Sequence, residues 1–352
     1  MLKLRVITFA LAAAAIAVLQ ASVPSAAPAR PSVSAKKRCR VVLKRVHGKK
    51  RRVRVCHKVK PKPKPLPPGA RLIATIPLGT GADPKELAAD DGGVWVLDNY
   101  NGQVIRVDPT SNAVVARVPT TAVDFGALAL GAGAVWNSSF QANGVRRIDA
   151  ASNQLNTTIP FAATDSGPWG VGFANGAVWV AMHHLGSVVR IDAATNAIVA
   201  SIDVSPDGVD GPSELAAGET GVWTRVFKTA DVVHVDPSTN AVVGRVEESG
   251  PPLLDGSYVW IQRPFSVDLV DPVANKVVEK VAVPQTVGQG VAGLGSVWVP
   301  TKSGLARVNE SSKKLVGLVK GVPGTPFMAA VGAGSIWLTI PDRGLLLRYA
   351  PS

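Results

Sequence analysis

Acidic residues are missing from the first 70 positions, and cysteine is missing everywhere except Cys39 and Cys56. The two cysteines, with His47 and His57 as the only further ligands nearby, match no zinc spacing, and no free reactive thiol is left for catalysis. No Gly-x-Ser-x-Gly elbow, His-Glu-x-x-His helix or phosphate-binding Gly loop occurs either, which removes the commonest hydrolase, zinc-protease and nucleotide-binding chemistries. The apolar run Phe9 to Leu19 is too short to span a bilayer, and no second such run follows it.

That run has another reading. Lys3 and Arg5 precede it and the small-residue stretch Ala27-Pro28-Ala29 follows it, so residues 1–30 are expected to be a cleaved export signal, with an uncleaved anchor as the alternative. The mature chain is then expected outside the cytoplasm, secreted or associated with the cell envelope.

The net charge of +13 is unevenly spread. Residues 1–70 carry 18 Lys or Arg and no acid, which leaves 20 basic against 25 acidic residues in 71–352, net negative by 5. A mildly acidic domain therefore follows a basic arm. In the arm (31–60), Cys39 and Cys56 lie equidistant from His47-Gly48, a pair suited to a two-residue hairpin turn. That register sets Val42 against Val53 and Cys39 against Cys56, and predicts a disulfide across the hairpin in an exported protein.

Residues 61–70, rich in alternating Lys and Pro, read as an extended spacer. With 15 Lys or Arg between Lys36 and Lys64, residues 36–64 are expected to attach to a polyanion such as a cell-wall polymer or a membrane surface, or else to form a solvated arm. The hairpin has no aromatic residue for stacking on bases, so sequence-specific nucleic-acid recognition is not expected.

The rest of the chain is repetitive. A Val-Trp or Ile-Trp pair recurs at Trp95, Trp136, Trp179, Trp223, Trp260, Trp298 and Trp337, 37 to 44 residues apart. Around most copies stand a small apolar run before the Trp, an Arg-Ile/Val-Asp segment after it, and then Asn-x-Val-Val. Four short β-branched strands per repeat predict an all-β fold: a seven-bladed β-propeller of four-stranded antiparallel blades over residues 71–352. The last repeat lacks a fourth strand, whereas Arg71-Leu72-Ile73-Ala74-Thr75-Ile76-Pro77 has the fourth-strand pattern ahead of the first repeat. Pairing the two closes the ring and removes exposed strand edges. A monomer is expected.

Repeated residues build scaffold, so the Trp of each blade is read as inter-blade packing and the Asp before Pro or Ala as a turn cap. Function is sought where blades differ. Nine residues before each Trp, at the expected channel mouth, stand Glu86, Ala127, Gly170, Glu214, Pro251, Gln289 and Met328. Only Glu86 and Glu214 are acidic, in matching Pro-x-Glu-Leu-Ala-Ala segments. They offer a site for a channel cation or a basic ligand group, the alternative being solvated carboxylates, and no other cofactor is expected.

The loops of the same face carry Asn99, Tyr100, Asp165, Trp169, Arg225, Lys228, Arg263, Lys302 and Arg343, candidate contacts for a protein, peptide or glycan of the envelope. His183 and His184 are the best candidates for a catalytic base, if there is one, and otherwise belong to the polar surface.

The segments Gly-x-Val-Trp-Val, Val-x-Arg-Ile/Val-Asp-Pro-x-Thr/Ser-Asn-x-Val-Val and x-Ile-Pro resemble those of the YVTN β-propellers and the related virginiamycin B lyase group, over about residues 71–350. The resemblance implies the propeller fold. For the lyase group it also implies glutamates shortly after the blade Trp, a His base and a magnesium ion for elimination. Here Trp is followed by Val96-Leu97-Asp98, Asn137-Ser138, Val180-Ala181, Thr224-Arg225, Ile261-Gln262, Val299-Pro300 and Leu338-Thr339. None is Glu, so no metal ligand carries over. A divergent carbon-oxygen lyase or hydrolase remains the alternative to a binding protein.

Overall fold

The computed structural model describes residues 37–46, 49–58, 66–120, 125–205 and 211–352. The chain divides into two units, Met1–Lys64 and Pro65–Ser352. In the first, strands Lys37–Val46 and Lys49–Lys58 pair antiparallel with Cys39 opposite Cys56 and Val42 opposite Val53 along the backbone. The export signal, the His47-Gly48 turn, residues 61–65 of the Lys/Pro spacer and the side chains of Cys39 and Cys56, with the expected disulfide, lie outside the described residues.

The second unit is built of seven four-stranded antiparallel sheets. The first blade runs Pro84–Ala89, Val94–Asp98, Gln103–Asp108 and Ala113–Pro119 from the channel outward. The last is made of Ala329–Gly332, Ser335–Ile340 and Leu345–Pro351, with Ala70–Pro77 as its outermost strand. Ala70 lies opposite Pro351 and Pro77 opposite Leu345. The second strand of each blade is buried along nearly its whole length, whereas the innermost strand turns one face to the channel. The outermost strands alternate, as in Ala113–Pro119.

Each repeated Trp sits in the second strand at no more than 1 % exposure and packs against the following blade. Trp136 joins Val171, Val178 and Val180, and Trp337 joins Leu87 and Val94 across the ring closure. Directly opposite the Trp on the third strand stands Arg in five blades. Its guanidinium lies about 5 Å over the indole, at 5.2 Å for Arg106 on Trp95, and reaches the turn of the next blade. Arg106 Nη1 donates to the Ala150 carbonyl (2.8 Å) and Asn153 Oδ1 (2.9 Å), and Arg190 makes the same pair of bonds to Pro237 and Asn240. The receiving Asn sits at positive φ (59° for Asn153), a conformation Asn tolerates, and the turn is tied by the preceding Asp, as where Asp108 Oδ1 accepts from Thr110 N–H at 2.8 Å. The Trp and Asp therefore act as scaffold.

Two blades depart from this latch. In the fourth, His234 replaces Arg: it stacks on Trp223 at 3.9 Å and bonds Asn275 Oδ1 at 2.9 Å. In the fifth, Leu269 faces Trp260, and the sixth blade offers Lys313 where the other turns offer Asn. Both halves of the latch are missing at one seam. Buried Glu310 lies there instead, near Asp255 and the Trp260 indole.

Candidate functional site

The innermost strands of all seven blades enclose a central cavity of about 590 Å³. Blades one, three and four begin these strands with Pro84-Lys85-Glu86, Pro168-Trp169-Gly170 and Pro212-Ser213-Glu214, and each has a register irregularity at that point. Proline suits a strand start, and the extra residue of a bulge re-aims the side chains beside it. Glu86, Trp169 and Glu214 thereby all line the cavity. Gly170 contributes no side chain: a Cβ there would come within 2.2 Å of the Ser213 carbonyl, so its neighbour Trp169 fills the rim of blade three.

Trp169 is fixed by blade two, where the buried Ser138 hydroxyl donates to its carbonyl while accepting from Ala127 N–H at 2.8 Å. Its ring is the centre of an aromatic cluster spanning three blades. It lies 5.8 Å from Phe140, 5.2 Å from His183 and 6.1 Å from Phe227; His184 lies 5.6 Å from Phe140. Such tilted and edge-on contacts favour rigid placement. His183 Nδ1 is 3.2 Å from the Pro212 carbonyl, and His184 Nδ1 is 3.0 Å from Asp165 Oδ1. The His184–Asp165 pair is exposed, with the Asp165 side chain 83 % accessible.

The two glutamates differ in environment. Glu214 is held: Ser213 Oγ donates to it at 2.5 Å and Arg225 Nη1 lies 3.3 Å from Oε1. Arg225 also lies 4.1 Å over the Phe227 ring and donates to Ser249 Oγ. Glu86 has neither an ion pair nor a hydrogen bond of this kind; Lys85 beside it is drawn to Asp83 at 3.1 Å and to the Phe327 ring. Glu86 keeps an edge toward the channel and is enclosed by protein elsewhere. Burial pushes its carboxyl up to about 8, and repulsion from Glu214 adds to the rise. The two carboxylates thus face one electrostatic space.

The structure brings Glu86, Asp165, Trp169, His183, His184, Glu214 and Arg225 to the cavity and its rim over blades one, three and four. The remaining candidates stand elsewhere on the loop face. Asn99 is buried and Tyr100 exposed in blade one, and Lys228 is exposed in the loop of blade four. Arg263 is paired with Glu248 in blade five, Lys302 is exposed in blade six, and Arg343 lies 3.9 Å from Asp342 in blade seven. Phe227, Phe125, Phe265 and Phe327 were absent from the sequence candidates although all four belong to this face. The signal was available: with Phe140 and the buried Phe161, six of the eight phenylalanines fall in its loops. Among the described residues, no group of three or more His, Cys, Asp or Glu is placed to hold a metal ion.

These features define a seven-bladed β-propeller with an aromatic-rimmed axial pocket. No family model and no curated protein matches the sequence. Solved structures do share the fold. Virginiamycin B lyase from Staphylococcus aureus matches with a TM-score of 0.68 at 14 % identity, over 80 % of this chain and 100 % of that one. A streptogramin B lyase matches at 0.64 and 14 %, over 79 % and 97 %. The Pan2 WD40 domain of Neurospora crassa matches at 0.66 and 11 %, over 82 % and 98 %.

Proposed function

We propose that the protein is an exported, envelope-associated propeller that binds a protein, peptide or glycan ligand on its loop face, while the basic arm attaches to an anionic polymer or membrane surface. The observation that carries the reading is the Trp169 cluster at the mouth of the cavity. Large rings held by one another and by Ser138 present stacking and hydrogen-bonding surface at low entropic cost, as ligand sites do. The opposite face, by contrast, is committed to inter-blade latches.

One observation favours a second reading as a lyase or hydrolase. His184 has a carboxylate partner in Asp165, the arrangement that orients a general base. Its exposure, and the lack of a converging ligand set for a cation among the described residues, weigh toward binding. Capture from cell-envelope extract by the chain with and without residues 31–70, and by Trp169→Ala, tests the proposal: Trp169→Ala should lose the loop-face ligand and truncation only the polyanion. Retention of every captured component by Trp169→Ala would refute the binding site. Chelator-sensitive opening of a streptogramin-type cyclic depsipeptide, abolished in His184→Ala, would establish the enzyme reading in its place.

A further inference from the structure

The cavity already contains one example of the recognition it is built for. Arg225, from the rim of blade four, presents a guanidinium over the Phe227 ring at 4.1 Å and to the Glu214 carboxylate at 3.3 Å. An aromatic face and a carboxylate together bind an organic cation well, because each stabilises positive charge and neither requires the alkyl stem to be wet. The channel offers a second carboxylate with no cation on it: Glu86 of blade one, which lacks an ionic partner, in the pocket that Trp169 of blade three also lines.

We infer that the channel mouth receives the side chain of a lysine or arginine presented by a peptide ligand, its charged head at Glu86 and the rest of the ligand against Trp169 and Phe140. The inference rests on the loop-face reading above and names its ligand class. A cavity of about 590 Å³ is ample for such a side chain. A bare divalent ion fits less well, since Glu86 is one unpaired carboxylate and Glu214 is already committed to Arg225 and Ser213.

The proposal has a protonic signature. Among the described residues, the charged groups facing Glu86 are Glu214 across the channel, with Arg225 bound to it, and Lys85 on the same strand, engaged with Asp83. Leu97 lies opposite on the neighbouring strand, and the adjacent blades contribute uncharged Ala127 and Met328. With its carboxyl raised to about 8, Glu86 is mostly protonated at pH 7. A cation seated on it must displace that proton, so binding releases nearly one proton at pH 7 and almost none at pH 9.5, while affinity rises with pH.

The test is calorimetry on the full chain with acetyl-Ala-Lys-Ala-amide, its arginine counterpart and its norleucine counterpart, in phosphate and in Tris. The lysine or arginine peptide is expected to bind with proton release at pH 7. The norleucine peptide should bind at least about tenfold more weakly, and Glu86→Gln should lose both the release and at least about tenfold in affinity at pH 9.5. Glutamine is neutral and of the same shape as protonated Glu86, so this variant keeps the fold. Equal binding of the norleucine peptide, binding without proton release, undiminished binding by Glu86→Gln, or no binding of either cationic peptide at 20-fold excess over about 1 mM protein overturns the inference. Retained, Trp169-dependent capture of an envelope ligand in any of those cases leaves the loop-face reading standing.

Discussion

Arg348 of the last blade donates to Asn112 Oδ1 of the first at 2.9 Å, joining the two ends of the ring on the face opposite the pocket. The same guanidinium lies over Trp337 at 4.8 Å, bonds Ser335 Oγ at 2.9 Å and reaches the Pro109 carbonyl. One side chain thus links its own blade's core to its neighbour's turn. Because propeller stability is shared among such neighbour contacts, loss of a single latch is felt by the whole ring. Arg348→Ala is expected to lower stability by about 2–4 kcal/mol, combining charged hydrogen bonds with the ring contact. Calorimetric melting measures it; a change below about 1 kcal/mol would show the latch to be ornamental.

The eight tryptophans should divide into two classes. Trp179 is fully buried between blades, and Trp179→Ala is expected to cost about 3–5 kcal/mol. Trp169 is half-buried at the rim, and Trp169→Ala should cost less than about 1.5 kcal/mol while removing ligand capture. Denaturant titration of the two variants distinguishes them, and similar losses in both would move Trp169 into the scaffold.

Seven blades were legible in the sequence because the Trp that packs each blade on the next recurs in all seven, with a cross-strand Arg in five. The pocket was legible only in part. Aligning on the Trp located Glu86 and Glu214, since a shared register fixes depth in the channel. Phe227 stands four residues after its Trp, in register with Asn99, Phe140 and His183, and escaped because an apolar ring in a loop carries no charge or hydrogen-bonding group to mark it. The glutamates' inequality also escaped: it depends on Arg225 folding back onto Glu214 while Lys85 turns outward to Asp83, choices made by side chains after the backbone is set.

Stability should fall as pH rises through neutrality. Burial, with Asp255 adjacent, pushes Glu310 up to about 7, above the usual carboxylate range. The folded state therefore holds a proton that the unfolded chain has lost, and the contribution is complete below about pH 4.5 and gone above pH 7. Glu86 acts with the same sign at a slightly higher pH. Denaturation midpoints are expected to drop between pH 5 and pH 8 by an amount on the order of 1–3 kcal/mol, and Glu310→Gln should flatten part of the slope below about pH 7, Glu86→Gln the remainder. A midpoint rising over that range would contradict the assignment.

Deleting residues 71–77 removes the outermost strand of the last blade and leaves the edge of Leu345–Pro351 bare. Cooperative unfolding should be lost, with aggregation through the open edge. An unchanged melting transition in that deletion would mean the ring does not depend on its N-terminal strand.

The arm and the propeller should separate electrostatically. Because the basic charge lies in residues 36–64 and residues 71–352 are net negative, heparin or teichoic acid affinity is expected to fall steeply between 50 and about 300 mM salt and to vanish on truncation to residue 71 onward. Full, salt-sensitive affinity in the truncated protein would reverse the division of labour.

The closing strand would also carry load under the proposed anchoring. The arm enters Ala70–Pro77 at its Ala70 end, while the pocket opens at the Pro77 end. A pull between an anchored arm and a ligand gripped at the loop face therefore runs along this strand, loading its transverse bonds to Leu345–Pro351 side by side in shear. Tension between the chain ends would instead reach Ala70 and Pro351 together and peel the bonds one at a time. If the arm tethers and the loop face binds as proposed, this placement would put the load on the resistant axis, and the ring would not be unzipped at the seam where it closes.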